Sequence, residues 1–169
     1  MGSLASLSAP ELGAIAIKAA IDEAGIDPAM INEGIMGCVL PAGAKQGPAR
    51  QAMRLAGIPD ANGATTINKL CGSGMKATML AHDVIKAGSG DILLAGGMES
   101  MSNAPHLLTK ARGGYRLGHG ELKDHMFLDG LEDAETGKLM GVFAQDVASQ
   151  RSYTRERLDD FAIASLERA

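Results

Sequence analysis

Tryptophan is absent from this sequence, and phenylalanine and tyrosine together supply only 3% of its 169 residues. A core built from such a chain must be aliphatic and methionine-rich, and 22 glycines allow close packing. No apolar run approaches the roughly 18 residues of a membrane span. The start, Met1-Gly2-Ser3-Leu4, lacks the basic residues and apolar stretch of a secretion signal. Only two cysteines occur, Cys38 and Cys71, which is too few for a disulfide framework; a reducing cytoplasmic setting is the expectation. Net charge is −4, which argues against general nucleic-acid binding. What remains, 46% apolar and 21% charged, is the composition of a globular chain long enough to bury a sizeable core.

Along the chain, Ser8-Ala9-Pro10-Glu11 reads as a capping box with proline in the first turn. Leu12, Ile15, Ala16 and Ala19 mark one face of the helix that follows, and Gly25 ends it. Ile35 to Leu40 reads as a buried strand, broken by Pro41-Ala42-Gly43. A second helix runs from about Pro48 to Ala56, with Arg50 and Arg54 on a solvated or salt-bridged face. Thr65 to Leu70 is β-branched and extended, and Asp91 to Ala95 forms another buried strand before Gly96-Gly97. The first hundred residues thus read α-β-α-β-α-β, the pattern of an α/β fold with a parallel sheet and helices on its faces. In open sheets of that kind ligands bind beyond the carboxyl ends of the strands.

The stretch Asn68-Lys69-Leu70-Cys71-Gly72-Ser73-Gly74-Met75 joins a strand to a helix that continues to Ala87, with Met75, Met79, Leu80, Val84 and Ile85 near helical spacing. Cys71 falls at the junction, in the first turn of that helix. Unpaired N–H groups and the positive end of the helix dipole favour a thiolate there. Gly72 and Gly74 keep side chains clear of a ligand approaching the sulfur, and the Cys71 N–H is a candidate donor to an oxyanion. A small hydrophobe buried at a helix start is the competing reading of the same residue.

From Asn103 to Gly137 no period is sustained. This stretch holds His106, His119 and His125, which read as solvated, with no partners at metal-ligand spacing, and the basic Lys110, Arg112 and Arg116 read as surface. Two helices finish the chain. Met140, Phe143, Ala144 and Val147 fit the first. Thr154 caps the second, whose stripe Leu158, Phe161, Ala162 and Leu166 reads as core. The expected organisation is an α/β core over 1–102, a loop region over 103–137, and helices over 138–169.

Several motifs together resemble the thiolases, the acetyl-CoA acetyltransferases. Asn68–Gly74 is similar to their nucleophile motif. Gly96-Gly97-Met98-Glu99-Ser100-Met101-Ser102, followed by Ala104-Pro105-His106, is similar to a second signature. Leu40-Pro41-Ala42-Gly43, Pro48-Ala49-Arg50-Gln51-Ala52, and Asp159-Asp160-Phe161-Ala162 with Ser165 also match, so the similarity covers essentially the whole chain. It implies a layered α-β-α fold and a cysteine, Cys71, that takes an acyl group from an acyl-CoA as a thioester. A second acetyl-CoA then condenses with it to give a 3-ketoacyl-CoA, or thiolysis runs the reverse. Coenzyme A thioesters are thus the implied substrates, with no bound cofactor and no metal. The resemblance carries over a CoA contact to Leu131 and an acyl-pocket contact to Met140. Where some biosynthetic members have histidine before that methionine, this chain has Leu139.

The sequence also departs from the family pattern. Family members have two similar halves, and the second supplies a histidine that activates the nucleophile and a second cysteine that serves as acid and base. Neither motif occurs here, and His82 lies about three helical turns past Cys71. Each missing group is worth typically about 10²–10⁴-fold, so weak or no turnover is expected of this chain alone. The family's first strand, placed in the middle of its sheet, is also missing. The strands at Ile35 and Asp91 are therefore expected to lose a shared neighbour, at about 1–3 kcal/mol per unpaired buried group. The implied outcome is a weakly stable monomer, a rearranged sheet, or a sheet completed by a partner, whether in a homo-oligomer or by a thiolase second half. A non-catalytic module that only contacts CoA or an oligomer partner is the competing reading.

Overall fold

The first helix, α1 (Ala9–Ala24), forms because both its ends are chemically closed. The Ser8 hydroxyl accepts the Glu11 N–H, the Glu11 carboxylate accepts the Ser8 N–H at 2.7 Å, and Gly25 ends the helix at φ +63°. The computed structural model describes residues 1–169, which divide into two compact units, Met1–Gly130 and Leu131–Ala169.

The first unit holds a parallel sheet of β1 (Glu33–Gly37), β2 (Gly63–Ile67) and β3 (Leu93–Gly97) in the order β2-β1-β3. Of the outcomes expected where the strands at Ile35 and Asp91 lose a shared neighbour, the structure shows the rearranged sheet: β1 pairs directly with β3, Glu33 opposite Leu93 through Gly37 opposite Gly97. No buried ladder is left open between them. The unpaired edges are the outer ones, on β2 and β3.

Two further helices, α2 (Pro48–Leu55) and α3 (Ser73–Lys86), cover opposite faces of the sheet. Alternate residues of a strand point to opposite faces, and β1 shows this directly. A Cβ on Gly34 would fall 2.3 Å from Met53 of α2, whereas a Cβ on Gly37 would fall 2.6 Å from Ser73 of α3. Helix α1 packs on α2, so the aliphatic core, with Ile17, Ile21, Ile31, Met36, Met53 and Met98 buried, lies between that helix pair and the sheet. It is methionine-rich, as the composition requires.

Burial corrects the reading of two helix faces. On α1 the buried face is Gly13, Ala14, Ile17 and Ile21, not Leu12, Ile15, Ala16 and Ala19. Gly13 sits where a Cβ would meet Met98 and Ala52, so the closest contact comes from a residue with no hydrophobic signal at all. On α3 the buried stripe is Ser73, Ala77 and Ala81, while Met75, Met79 and Ile85 are exposed. Small residues let the helix lie close on the sheet and leave its methionines outside.

Strand limits shift as well. β1 ends at Gly37 rather than Leu40, and β2 ends at Ile67 rather than Leu70. Past those points the amides find other acceptors: Cys38 N–H donates to the Ile67 carbonyl, and Val39 and Leu40 donate to Glu99. Arg54 pairs with Asp60 at 2.8 Å, and Arg50 donates to the Asp60 and Asn62 carbonyls.

Residues 103–130 form short pieces: a two-residue antiparallel pair, β4 (His106–Leu107) with β5 (Lys123–Asp124), single helical turns, and a π turn at Phe127–Leu131. His106 and His119 are exposed, but His125 is buried. Its Nε2 accepts the Ala42 N–H at 3.3 Å and its Nδ1 lies 2.6 Å from an Asp129 oxygen. The second unit contains α4 (Met140–Gln150) and α5 (Arg155–Arg168), the latter capped by Thr154. No residue in this unit is buried, so the stripe Leu158, Phe161 and Leu166, read from sequence as core, lies exposed.

Candidate active site

The two cysteines have opposite environments. Cys38 is 2% exposed, at the end of β1, whereas Cys71 is exposed. Burial first, then the charge of Glu99, pushes the Cys38 thiol up to about 12, so it stays protonated and inert at neutral pH. Cys71 lies on the wall of a cavity of about 300 Å³ beyond the carboxyl ends of the parallel strands. Gly37, Val39, Leu70, Ser73, Gly74, Met98 and Glu99 complete most of the lining.

Cys71 is not in the first turn of α3, as the spacing predicts. It precedes the N-cap, Gly72, and the helix begins at Ser73. It stands instead on a tight turn between β2 and α3. Gly72 N–H donates to the Lys69 carbonyl and Ser73 N–H to the Leu70 carbonyl. Two side chains hold this turn. Asn68 Oδ1 accepts the Leu70 N–H at 2.8 Å. Ser73 Oγ accepts the Lys69 N–H at 2.8 Å and donates to the Leu70 carbonyl at 2.6 Å. Between them Leu70 takes φ +48°, a left-handed conformation that costs a non-glycine residue about 1–2 kcal/mol. The strain falls next to the thiol it presents. Asn68, Ser73 and their partners Lys69 and Leu70 all lie within the one motif.

The Cys71 N–H makes no hydrogen bond within the chain. With the positive end of a 14-residue helix just beyond it, this amide offers a donor to negative charge developing on an atom bonded to the sulfur. A Cβ added at Gly74 would meet the Gly96 and Gly97 backbone of β3 at ordinary contact distance. The closest backbone approach is at Gly37, under Ser73. The lining holds no imidazole.

Leu131 and Met140 belong to the second unit, where the π turn ends and where α4 begins. An antiparallel bridge between Glu132 and Leu139 brings the two residues to the same end of one loop. Glu99 was quoted in the sequence only as part of a signature; the structure puts its carboxylate at the cavity, bonded to Val39 and Leu40.

A family model, the thiolase N-terminal domain, matches residues 1–169. Among curated proteins, the acetyl-CoA acetyltransferase of Cupriavidus necator is 51% identical over 168 residues, covering 99% of this chain and 43% of its own length. Acetyl-CoA acetyltransferase 2 of Arabidopsis thaliana is 49% identical, with 99% and 42% covered. Among solved structures, the Acat5 thiolase from Ascaris suum, in complex with coenzyme A, superposes with a TM-score of 0.93 at 39% identity, covering 99% of this chain and 44% of that one. The chain thus spans less than half the length of the relatives it matches. With the match running from the first residue to the last, and with the fold shared throughout, this chain belongs to the thiolase N-terminal domain family.

Proposed function

We propose that this chain is the nucleophile-bearing portion of an acetyl-CoA acetyltransferase and that Cys71 carries the acyl group. One observation carries the reading: of two cysteines, only Cys71 is exposed, and it stands at a cavity beyond the strand ends with its own N–H unpaired. The Cys71 sulfur attacks the thioester carbonyl of an acyl-CoA, forming a new S–C bond. Charge moves to the carbonyl oxygen, where the Cys71 N–H stabilises it. The intermediate collapses by breaking the bond to the CoA sulfur, which leaves as a thiol with the proton Cys71 lost. Condensation with a second acetyl-CoA needs a further acid and base. The cavity lining supplies neither an imidazole nor a second thiol, so full turnover belongs to a longer protein or an assembly.

Leu131 and Met140 are assigned here, from the family resemblance, to contacts with CoA and with the acyl chain. The outer edge of β3 suits completion of the sheet by further chain or another subunit. Its residues Leu93, Leu94 and Ala95 are half-buried and carry no charge or proline to blunt the edge. A cytoplasmic location is part of the same proposal; no helix is long and apolar enough to cross a membrane.

The test is to incubate the chain with acetyl-CoA and weigh it intact. A gain of one acetyl group that is lost in Cys71→Ser supports the reading. A chain that binds CoA but gains nothing, while Cys71 is alkylated at the rate of an ordinary thiol, supports a non-catalytic module instead.

A further inference from the structure

We propose that Glu99 is the positioning residue of the Cys71 cavity: its carboxylate ties the segment leaving β1 to the end of β3 and so sets the wall opposite the thiol. Its consequence for acyl transfer rests on the reading above, whereas its geometry does not. The ladder between β1 and β3 ends with Met98 N–H donating to the Gly37 carbonyl at 2.9 Å. Beyond that point no main-chain acceptor continues it. The Glu99 side chain does so instead. Oε2 accepts the Val39 N–H at 2.8 Å, Oε1 accepts the Leu40 N–H at 2.9 Å, and the Cys38 thiol lies 3.6 Å from Oε1. Bonds of this kind, backbone amide to carboxylate, are roughly twice as strong as neutral ones.

The clamped residue is part of the cavity. Val39 lines it together with Leu70 and Cys71. The Val39 carbonyl also accepts from Asn68 Nδ2 at 3.4 Å, and Asn68 holds the turn under Cys71. Glu99, Val39 and Asn68 therefore connect the exits of all three strands around one opening. Both Glu99 oxygens already face donors, so this carboxylate is not arranged to take the Cys71 proton; it acts through the backbone it holds. Glutamine at this position keeps one acceptor and turns an N–H₂ toward an amide N–H. Alanine removes both acceptors. Freed, Val39 no longer defines where an acyl group lies relative to the sulfur, and a displacement of about 1 Å is enough to cost about 100-fold in rate.

The experiment compares the 169-residue chain with Glu99→Gln and Glu99→Ala, following acetylation of Cys71 by acetyl-CoA and its alkylation by iodoacetamide, both by mass. The maximal acetylation rate is expected to fall about 10- to 100-fold in Glu99→Ala and less in Glu99→Gln, with half-saturating acetyl-CoA and the alkylation rate held within about twofold. Acetylation of a folded Glu99→Ala chain at the rate of the parent overturns the proposal, as does a parallel fall of acetylation and alkylation, which marks general loss of structure. Amide hydrogen exchange on the unmodified chain gives an arm that needs no variant to fold. Val39 and Leu40 are expected to be protected like Ile35 in the ladder, and exchange at loop rates overturns the clamp. If the unmodified chain takes no acetyl group, the acyl-transfer reading fails, and the exchange result alone decides the role of Glu99.

Discussion

Ser73 Oγ donates a 2.6 Å hydrogen bond to the carbonyl of Leu70, the residue held at φ +48° immediately before Cys71. A helix residue thus reaches back and closes the turn that precedes its own helix, and the same oxygen accepts the Lys69 N–H. The turn is strained where the thiol is presented, and the strain is offset by bonds made from a buried side chain.

Removing that side chain is expected to release the turn. Ser73→Ala leaves the Lys69 N–H without its acceptor, and with Lys69 exposed the cost is that of a lost hydrogen bond, about 0.5–1.5 kcal/mol. Urea denaturation measures this, and a midpoint unchanged from the parent shows that the hydroxyl does not hold the turn.

Gly37 leaves no room above it. A Cβ there would lie 2.6 Å from the Ser73 Cβ and 2.8 Å from the Ser73 carbonyl carbon, and the obstruction is backbone rather than a movable side-chain end. Gly37→Ala is expected to push α3 off the sheet, costing about 1–3 kcal/mol and altering Cys71 alkylation because the helix start carries the turn with it. Thermal melting and iodoacetamide kinetics, measured together, check both parts.

Cys38 gives a pH dependence with a definite sign. Its thiol is pushed up from 9.0 to about 12 in the folded chain, by burial first and the Glu99 charge second. The folded state therefore keeps a proton that the unfolded state releases, and the associated stability is fully present below about pH 9 and is lost as pH rises toward 12. Urea midpoints across this range should fall more steeply for the parent than for Cys38→Ala; equal slopes refute the assignment. Native alkylation near pH 8 is expected at Cys71 alone.

His125 accepts the Ala42 N–H at Nε2, which requires the neutral ring with its proton on Nδ1, toward Asp129. Protonation of Nε2 would set a donor against a donor and break the contact with the loop after β1. His125→Leu is expected to cost about 1–3 kcal/mol by leaving the Ala42 amide unpaired. Nitrogen chemical shifts of the ring report the tautomer directly, and a proton found on Nε2 in the folded chain contradicts this arrangement.

Sequence alone determined the features closed by bonds between near neighbours. The capping box of Ser8 and Glu11, the stop at Gly25, the Thr154 cap, the alternation of helix and strand, and the turn bearing Cys71 all depend on partners within a few positions. Tertiary structure decided what depends on a second surface. The stripe of α3 that is buried is Ser73, Ala77 and Ala81 because the sheet accepts small residues there, and hydrophobicity had favoured Met75 and Met79. The direct pairing of β1 with β3, the burial of His125, and the bond from Glu99 to a Val39 amide 60 positions earlier were equally illegible. Local chemistry writes hydrogen bonds into adjacent residues, but burial and long-range pairing are settled only when distant segments compete for the same space.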